Sequence, residues 1–145
     1  MPTFEQTIDV SAPPDEAFRY VADFTTVTEW DPGILQSRRV NNGPVGQGAT
    51  YDVMTLFRGN PVPFRYEVAE YEENRRLLFR GAGAKAKSVD EILFRATGTG
   101  TRITYRARLT MKGLYRLAEP FLRGTFASMG TKAMNGLKAK LDTGR

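Results

Sequence analysis

Residues 101–111 read TRITYRARLTM, and this stretch constrains the fold more than any other. Ile103, Tyr105, Ala107 and Leu109 alternate strictly with Arg102, Thr104, Arg106 and Arg108. A period of two marks a strand, and a strand apolar on one side only belongs to an antiparallel sheet with one face covered. The same pattern recurs upstream. ATYDVMTLF puts Tyr51, Val53, Thr55 and Phe57 on one side; VPFRYEVAEYE puts Phe64, Tyr66 and Val68 on one side and Arg65 and Glu67 on the other. RRLLFRGAG and KSVDEILFRAT add two more strands, and GTG joins the last of these to residue 101. Such a sheet needs a cover, and only the C-terminal stretch supplies one.

That stretch, GLYRLAEPFLRGTFASMGTKAMNGLKAKLD, carries Leu117, Phe121, Met129, Ala133, Leu137 and Leu141 near helical spacing. Leu114, Leu122, Phe126 and Met134 widen the stripe. Pro120 interrupts any helix begun at Leu114, so the pattern predicts a two-part or kinked helix with its main piece over about 119–141. Gly124, Gly130 and Gly136 dot this piece. A helical glycine is about 1 kcal/mol worse than alanine, so several imply close approach of another element or space left for something else.

The N-terminal third differs. TFEQTIDVSA alternates as a strand over about 3–11. PPDEAFRYVADF has prolines and acids where a first helical turn favours them, and Phe18, Val21 and Ala22 share a face, which predicts a helix over about 14–24. Thr26 and Glu29 have capping-box spacing ahead of a second, short helix. That helix ends by Pro32, which pushes Asp31 out of helical geometry. The only tryptophan, Trp30, thus lies at a corner, in TEWDPG. A strand, ILQSRRVN, follows, and NNGPVGQG lacks the lysine and spacing of a phosphate loop and reads as a hairpin connection.

Composition narrows the chemistry. The 145 residues suit a single domain over 1–145. Cysteine and histidine are absent, which excludes disulfides, thiol nucleophiles, Cys/His zinc sites and histidine-dependent triads. Any acid–base chemistry falls to Asp, Glu, Tyr or Lys. The acids follow no calcium-loop spacing, so no metal is expected. The net charge of +5 is spread along the chain, and Lys85, Lys87, Lys132, Lys138, Lys140 and Arg145 read as solvated faces rather than a nucleic-acid arm. There is neither a signal-peptide pattern nor a run of the ~20 apolar residues that a membrane span requires. A cytoplasmic protein is expected, with no stable membrane insertion.

Four stretches, taken together, resemble one family. IDVSAPPDEAFRYVADF is similar to its first strand and helix, and EWDPGI to its tryptophan–proline corner. VGQGATYDV is similar to the entry of its third strand, and GTRITYRARLTMKG to its last strand before the long helix. The chain thereby resembles the START-like, or helix-grip (SRPBCC), superfamily and its polyketide cyclase/dehydrase-type proteins. The resemblance implies an α+β fold, Bet v 1-like, in which a curved antiparallel sheet of about seven strands grips the C-terminal helix. It also implies binding of a hydrophobic small molecule, lipid or polyketide-like, in a cavity between them, without a cofactor.

The candidate cavity residues on the sheet are Tyr51, Phe57, Phe64, Tyr66, Phe79, Phe94 and Tyr105. The helix offers Phe121, Leu122, Thr125, Phe126 and Met129, and Trp30 borders the mouth or packs the corner. The alternative is catalysis on a poly-ketone chain by a cyclase or dehydratase. That needs a base and an enolate-stabilising donor. The candidates are Asp52, Asp90, Tyr66 and Tyr105, with Arg65 or Arg106 as cations if they face inward. Asp90 is the strongest, because it shares parity with Ile92 and Phe94. Asp31 is expected to cap or pair locally. Oligomeric state is not readable from the chain.

Overall fold

The computed structural model describes residues 2–142. The elements run β1 (Thr3–Val10), α1 (Pro14–Ala22), a 3₁₀ turn (Phe24–Thr26), α2 (Val27–Trp30), β2 (Ile34–Arg39) and β3 (Thr50–Phe57). They continue with β4 (Asn60–Glu72), β5 (Arg76–Ala82), β6 (Ala86–Thr97), β7 (Gly100–Met111), a second 3₁₀ segment (Gly113–Ala118) and α3 (Glu119–Asp142). All seven strands form one antiparallel sheet in the order β1-β7-β6-β5-β4-β3-β2.

This order explains the helices. β1 and β2 are consecutive in sequence but lie on opposite edges, so residues 11–33 must cross the whole sheet. They cross it as α1, the 3₁₀ turn and α2, and bury Phe18, Val21, Phe24, Val27 and Trp30 on the inner face. Register shifts at Val68/Glu70 in β4 and Ile34/Gln36 in β2 mark the β-bulges that bend such a sheet. The β3–β4 hairpin turns through Arg58 and Gly59, both at positive φ (51° and 82°), as a two-residue type I′ loop requires. β4 therefore begins at Asn60, two residues before the alternation becomes visible in the sequence.

The first helix ends at Ala22, short of the expected 24, because Asp23 leaves helical geometry. Its side chain accepts from the Thr25 amide at 3.1 Å and caps the 3₁₀ turn. The Thr26–Glu29 capping box does not form. Thr26 Oγ1 donates to the Tyr20 carbonyl (2.7 Å), and Glu29 accepts from the Tyr20 hydroxyl (2.8 Å). The 3₁₀ turn inserted before α2 moves both side chains out of capping position.

The C-terminal stretch divides at Glu119, with Pro120 in the first turn of α3, where its missing N–H is harmless. Glu119 accepts from the Met111 amide (2.8 Å), which ties the start of α3 to the end of β7. At its other end Asp142 accepts from the Ser11 amide (2.8 Å). Most of the buried residues of α3 lie in its second half, Ala133, Met134, Leu137 and Leu141, with Leu122 alone buried in the first. Leu114 and Leu117, expected in the buried stripe, are exposed on the 3₁₀ segment instead.

The helix glycines divide by role. A Cβ at Gly136 would lie 1.9 Å from the Trp30 carbonyl oxygen, and one at Gly130 would lie 2.6 Å from the Phe4 ring. A Cβ at Gly124 meets nothing within 4 Å. Opposite responses follow. Gly136→Ala destabilises the fold by about 2–3 kcal/mol, because the clash is with backbone. Gly124→Ala stabilises it by up to about 1 kcal/mol through helix propensity. Urea denaturation of the two variants measures both signs.

Candidate functional site

Strand register assembles the site row by row. One row across the inner face is Tyr66 on β4, Gly81 on β5, Ser88 on β6 and Leu109 on β7. Gly81 has no side chain, so the Tyr66 ring lies across it; a Cβ there would sit 2.6 Å from the ring. The Tyr66 phenol thereby reaches the Ser88 hydroxyl. The next row is Val68, Phe79, Asp90, Ala107 and Phe4. Ala107 is small and only half-buried, which leaves the surface beside Asp90 uncovered from β7.

Asp90 is buried, as its parity with Ile92 and Phe94 predicts. Ser88 Oγ donates to its Oδ1 at 2.7 Å, and the Tyr105 hydroxyl donates to its Oδ2 at 2.5 Å. Burial raises the Asp90 pKa against these two hydrogen bonds, which favour the carboxylate. Burial, together with the Asp90 charge, holds the Tyr66 and Tyr105 phenols far above their ordinary value. Both phenols are therefore neutral donors.

Asp31 lies within electrostatic reach of this group. It follows Trp30 at the end of α2, and its Oδ1 accepts from the Gly33 amide at 2.8 Å. That is the local cap its sequence context suggests. Yet burial pushes its carboxyl up to about 6, with the Asp90 charge contributing across the intervening space. Its field also reaches the Tyr66 and Tyr105 hydroxyls. Among the described residues, no Lys or Arg forms an ion pair with Asp31 or Asp90. The site joins two carboxylates and two phenols with no cation.

The cations lie elsewhere. Arg65 and Arg106 do not face inward. Arg65 pairs with Asp52 at 2.8 Å, and Arg106 with Glu5 (3.1 Å) and Glu91 (3.2 Å), all on the outer side of the sheet. Asp52 is thus a surface ion-pair partner and cannot serve as an inward base. Strand parity dictates this, because Asp52 alternates with buried Tyr51 and Val53.

The apolar candidates separate into two groups. Phe79 and Phe94 face inward but are covered by the crossing helices. The Phe24 ring stands 4.5 Å from Phe79, and the Phe18 ring 5.2 Å from Phe94. Tyr51 and Trp30 are also fully packed. These residues are core. Phe57, Phe64 and Tyr105 on the sheet, with Thr125, Phe126 and Met129 on α3, are only half-buried, and Leu122 is buried beside them. On both the sheet and the first half of α3 these side chains, Leu122 apart, are less fully covered than the core. Phe121 is not part of this set. It is 76% exposed, because the first turn of α3 stands where no strand covers it.

Arg58, at the tip of the β3–β4 hairpin, bridges to this part of α3. Its guanidinium donates to the Phe121 carbonyl (2.9 Å) and to Thr125 Oγ1 (3.3 Å). A groove of about 530 Å³ lies on the other side of the sheet, beside Arg38, Asp52, Met54, Pro63 and Arg65. Its polar lining consists of exposed ion pairs, with no buried titratable group. The buried carboxylate and phenols lie on the inner face instead.

The model of one protein family, polyketide cyclase / dehydrase and lipid transport, matches residues 1–142. The chain belongs to this family. Solved structures agree on the fold. A Thermus thermophilus protein superposes with a TM-score of 0.82 at 16% identity, over 97% of each chain. A START superfamily protein from Mycobacterium smegmatis gives 0.78 at 17%, over 96% of each chain. The Zhui aromatase/cyclase of a Streptomyces species gives 0.79 at 13%, over 96% of this chain and 92% of that one. A sequence search of curated proteins returns no match. The START-like fold expected from the sequence is thus the fold observed.

Residues missed in the sequence are Asp31 as a partner of Asp90, Ser88, Gly81 and Arg58. A glycine inside a strand signals close approach, so Gly81 carried a readable hint.

The raised Asp31 pKa makes a signed prediction. Below about 3.8 the carboxyl is protonated whether the chain is folded or unfolded; between there and about 6 only the folded chain holds the proton. The stabilising effect of this proton is thus present at low pH and lost as pH rises through about 6. Asp31→Asn keeps the acceptor for Gly33 but removes the ionisation. Relative to the natural chain it gains about 2 kcal/mol at pH 8 and little at pH 4. Chemical denaturation of both chains across this range measures the difference.

Proposed function

We propose that the protein binds a small hydrophobic molecule against the inner face of the sheet, beneath the first half of α3. Its polar end sits at Asp90 and Tyr105. One observation carries this reading: a buried carboxylate, with two hydroxyl donors and no cation, is set in an apolar surface that the helix leaves partly unpacked. An apolar site with a few converging polar groups is the usual form of a small-molecule site. Arg58, bridging the hairpin tip to α3, guards one side of the region. Family membership supports a START-like ligand-binding or polyketide cyclase role without choosing between them.

The second reading is catalysis on a poly-ketone, and the elevated carboxyl of Asp90 favours it. A carboxylate held above its ordinary pKa by burial is a stronger base than a free one. In such a reaction Asp90 takes the proton from the carbon between two ketones, and the C–H electrons form an enolate. The Tyr66 or Tyr105 phenol hydrogen-bonds the enolate oxygen. The enolate carbon then attacks a second carbonyl of the chain, and the Asp90 carboxyl returns its proton to the resulting alkoxide. Loss of that hydroxyl as water, with enolisation of the remaining ring ketones, gives the aromatic ring.

Native mass spectrometry of the purified protein tests the first reading. A bound small molecule that leaves on denaturation is the expected result. Ala107→Phe, which fills the uncovered surface beside Asp90, should strip it while the fold persists by circular dichroism. Bare protein, together with unchanged uptake of an apolar fluorescent probe by the Ala107→Phe variant, contradicts it. The two readings part at Asp90→Asn. Turnover of a poly-ketone substrate is lost under the catalytic reading while ligand binding stays.

A further inference from the structure

We propose that the 3₁₀ segment Gly113–Ala118 and the first turn of α3 form a docking surface for an anionic lipid bilayer. Four large apolar side chains project here within eight residues. Leu114 is 85% exposed, Leu117 76%, Phe121 76% and Tyr115 48%. A scattered exposed leucine needs no explanation, but a contiguous set on one short stretch does.

The rim is basic. Lys85, from the β5–β6 hairpin, sets its ammonium 5.2 Å from the centre of the Tyr115 ring. Arg116 and Arg123 are exposed within and beside the apolar set, and Arg58 reaches its edge at the Phe121 carbonyl. The one acid in this stretch, Glu119, uses its carboxylate on the Met111 amide. Apolar side chains that enter the headgroup region, ringed by cations, are the pattern of an interfacial anchor. Among the described residues no helix is long and apolar enough to cross a membrane, so the contact is with the surface.

Charge also decides against a second copy of this chain. A two-fold interface would set the Lys85, Arg116 and Arg123 rim against its own image, like charge on like. The location gives the surface a use. Arg58 and Thr125 lie at the partly unpacked end of α3, so a docked molecule would present that end to the bilayer.

Flotation with vesicles provides the test. The full chain should rise with vesicles of phosphatidylcholine containing about a third phosphatidylglycerol and stay behind with phosphatidylcholine alone. The paired change Leu114→Ser with Leu117→Ser should weaken binding about tenfold or more, as should Arg116→Glu with Arg123→Glu. Leu35→Ser, the same change at another exposed leucine, should leave binding intact. Added salt should weaken binding. Absence of binding to the anionic vesicles overturns the proposal, as does equal weakening by Leu35→Ser. Sedimentation showing a dimer that Leu114→Ser with Leu117→Ser splits would overturn it in favour of self-association. The outcome is independent of whether a small molecule co-purifies.

Discussion

The contact between the Trp30 carbonyl and Gly136 governs the rest of the structure. α2 meets α3 backbone to backbone there, which only glycine permits. The consequence reaches three ways. Trp30 is locked as a core residue, and its neighbour Asp31 is placed over the sheet. α3 packs on β1 and α2, and four of its five buried residues lie in its second half. Packing at one end of α3 thus sets the looser region at the other.

Charge is distributed with the same consistency. On the outer face acids meet arginines: Asp9 with Arg102, Asp52 with Arg65, and Glu91 with Arg76 and Arg106. These pairs hold Asp9, Asp52 and Glu91 below their ordinary pKa, mainly through hydrogen bonds from their arginines. They are exposed or partly so, and exposed pairs of this kind add little stability. On the inner face Asp31 and Asp90 have hydrogen bonds but no counter-ion. Among the described residues no basic side chain forms an ion pair with either. Uncompensated buried carboxylates weaken a fold, and such expense concentrates at functional sites.

How much of this was legible in the sequence depends on range. Strand parity is local, so Asp90, Tyr66 and Tyr105 could be assigned to the inner face correctly. Parity does not say which part of that face a helix covers, and Phe79 and Phe94 proved to be core under Phe24 and Phe18. Helical spacing grouped Phe121 with Leu122 but carried no information about where the sheet ends. The role of Asp31 was not readable, because its approach to Asp90 depends on the α2–α3 contact, made between residues more than a hundred positions apart. Gly81 needed the register of three strands before its effect on Tyr66 appeared.

The central claim is that the inner face holds two carboxyls in a space without a cation. Carbon-detected NMR titration of the aspartate side chains measures it directly. The account predicts that Asp31 titrates near 6 and that Asp90 also titrates above the ordinary carboxyl range, while Asp9 and Asp52 titrate below it. Titration of Asp31 and Asp90 together with ordinary surface aspartates, near 3.9, would contradict it.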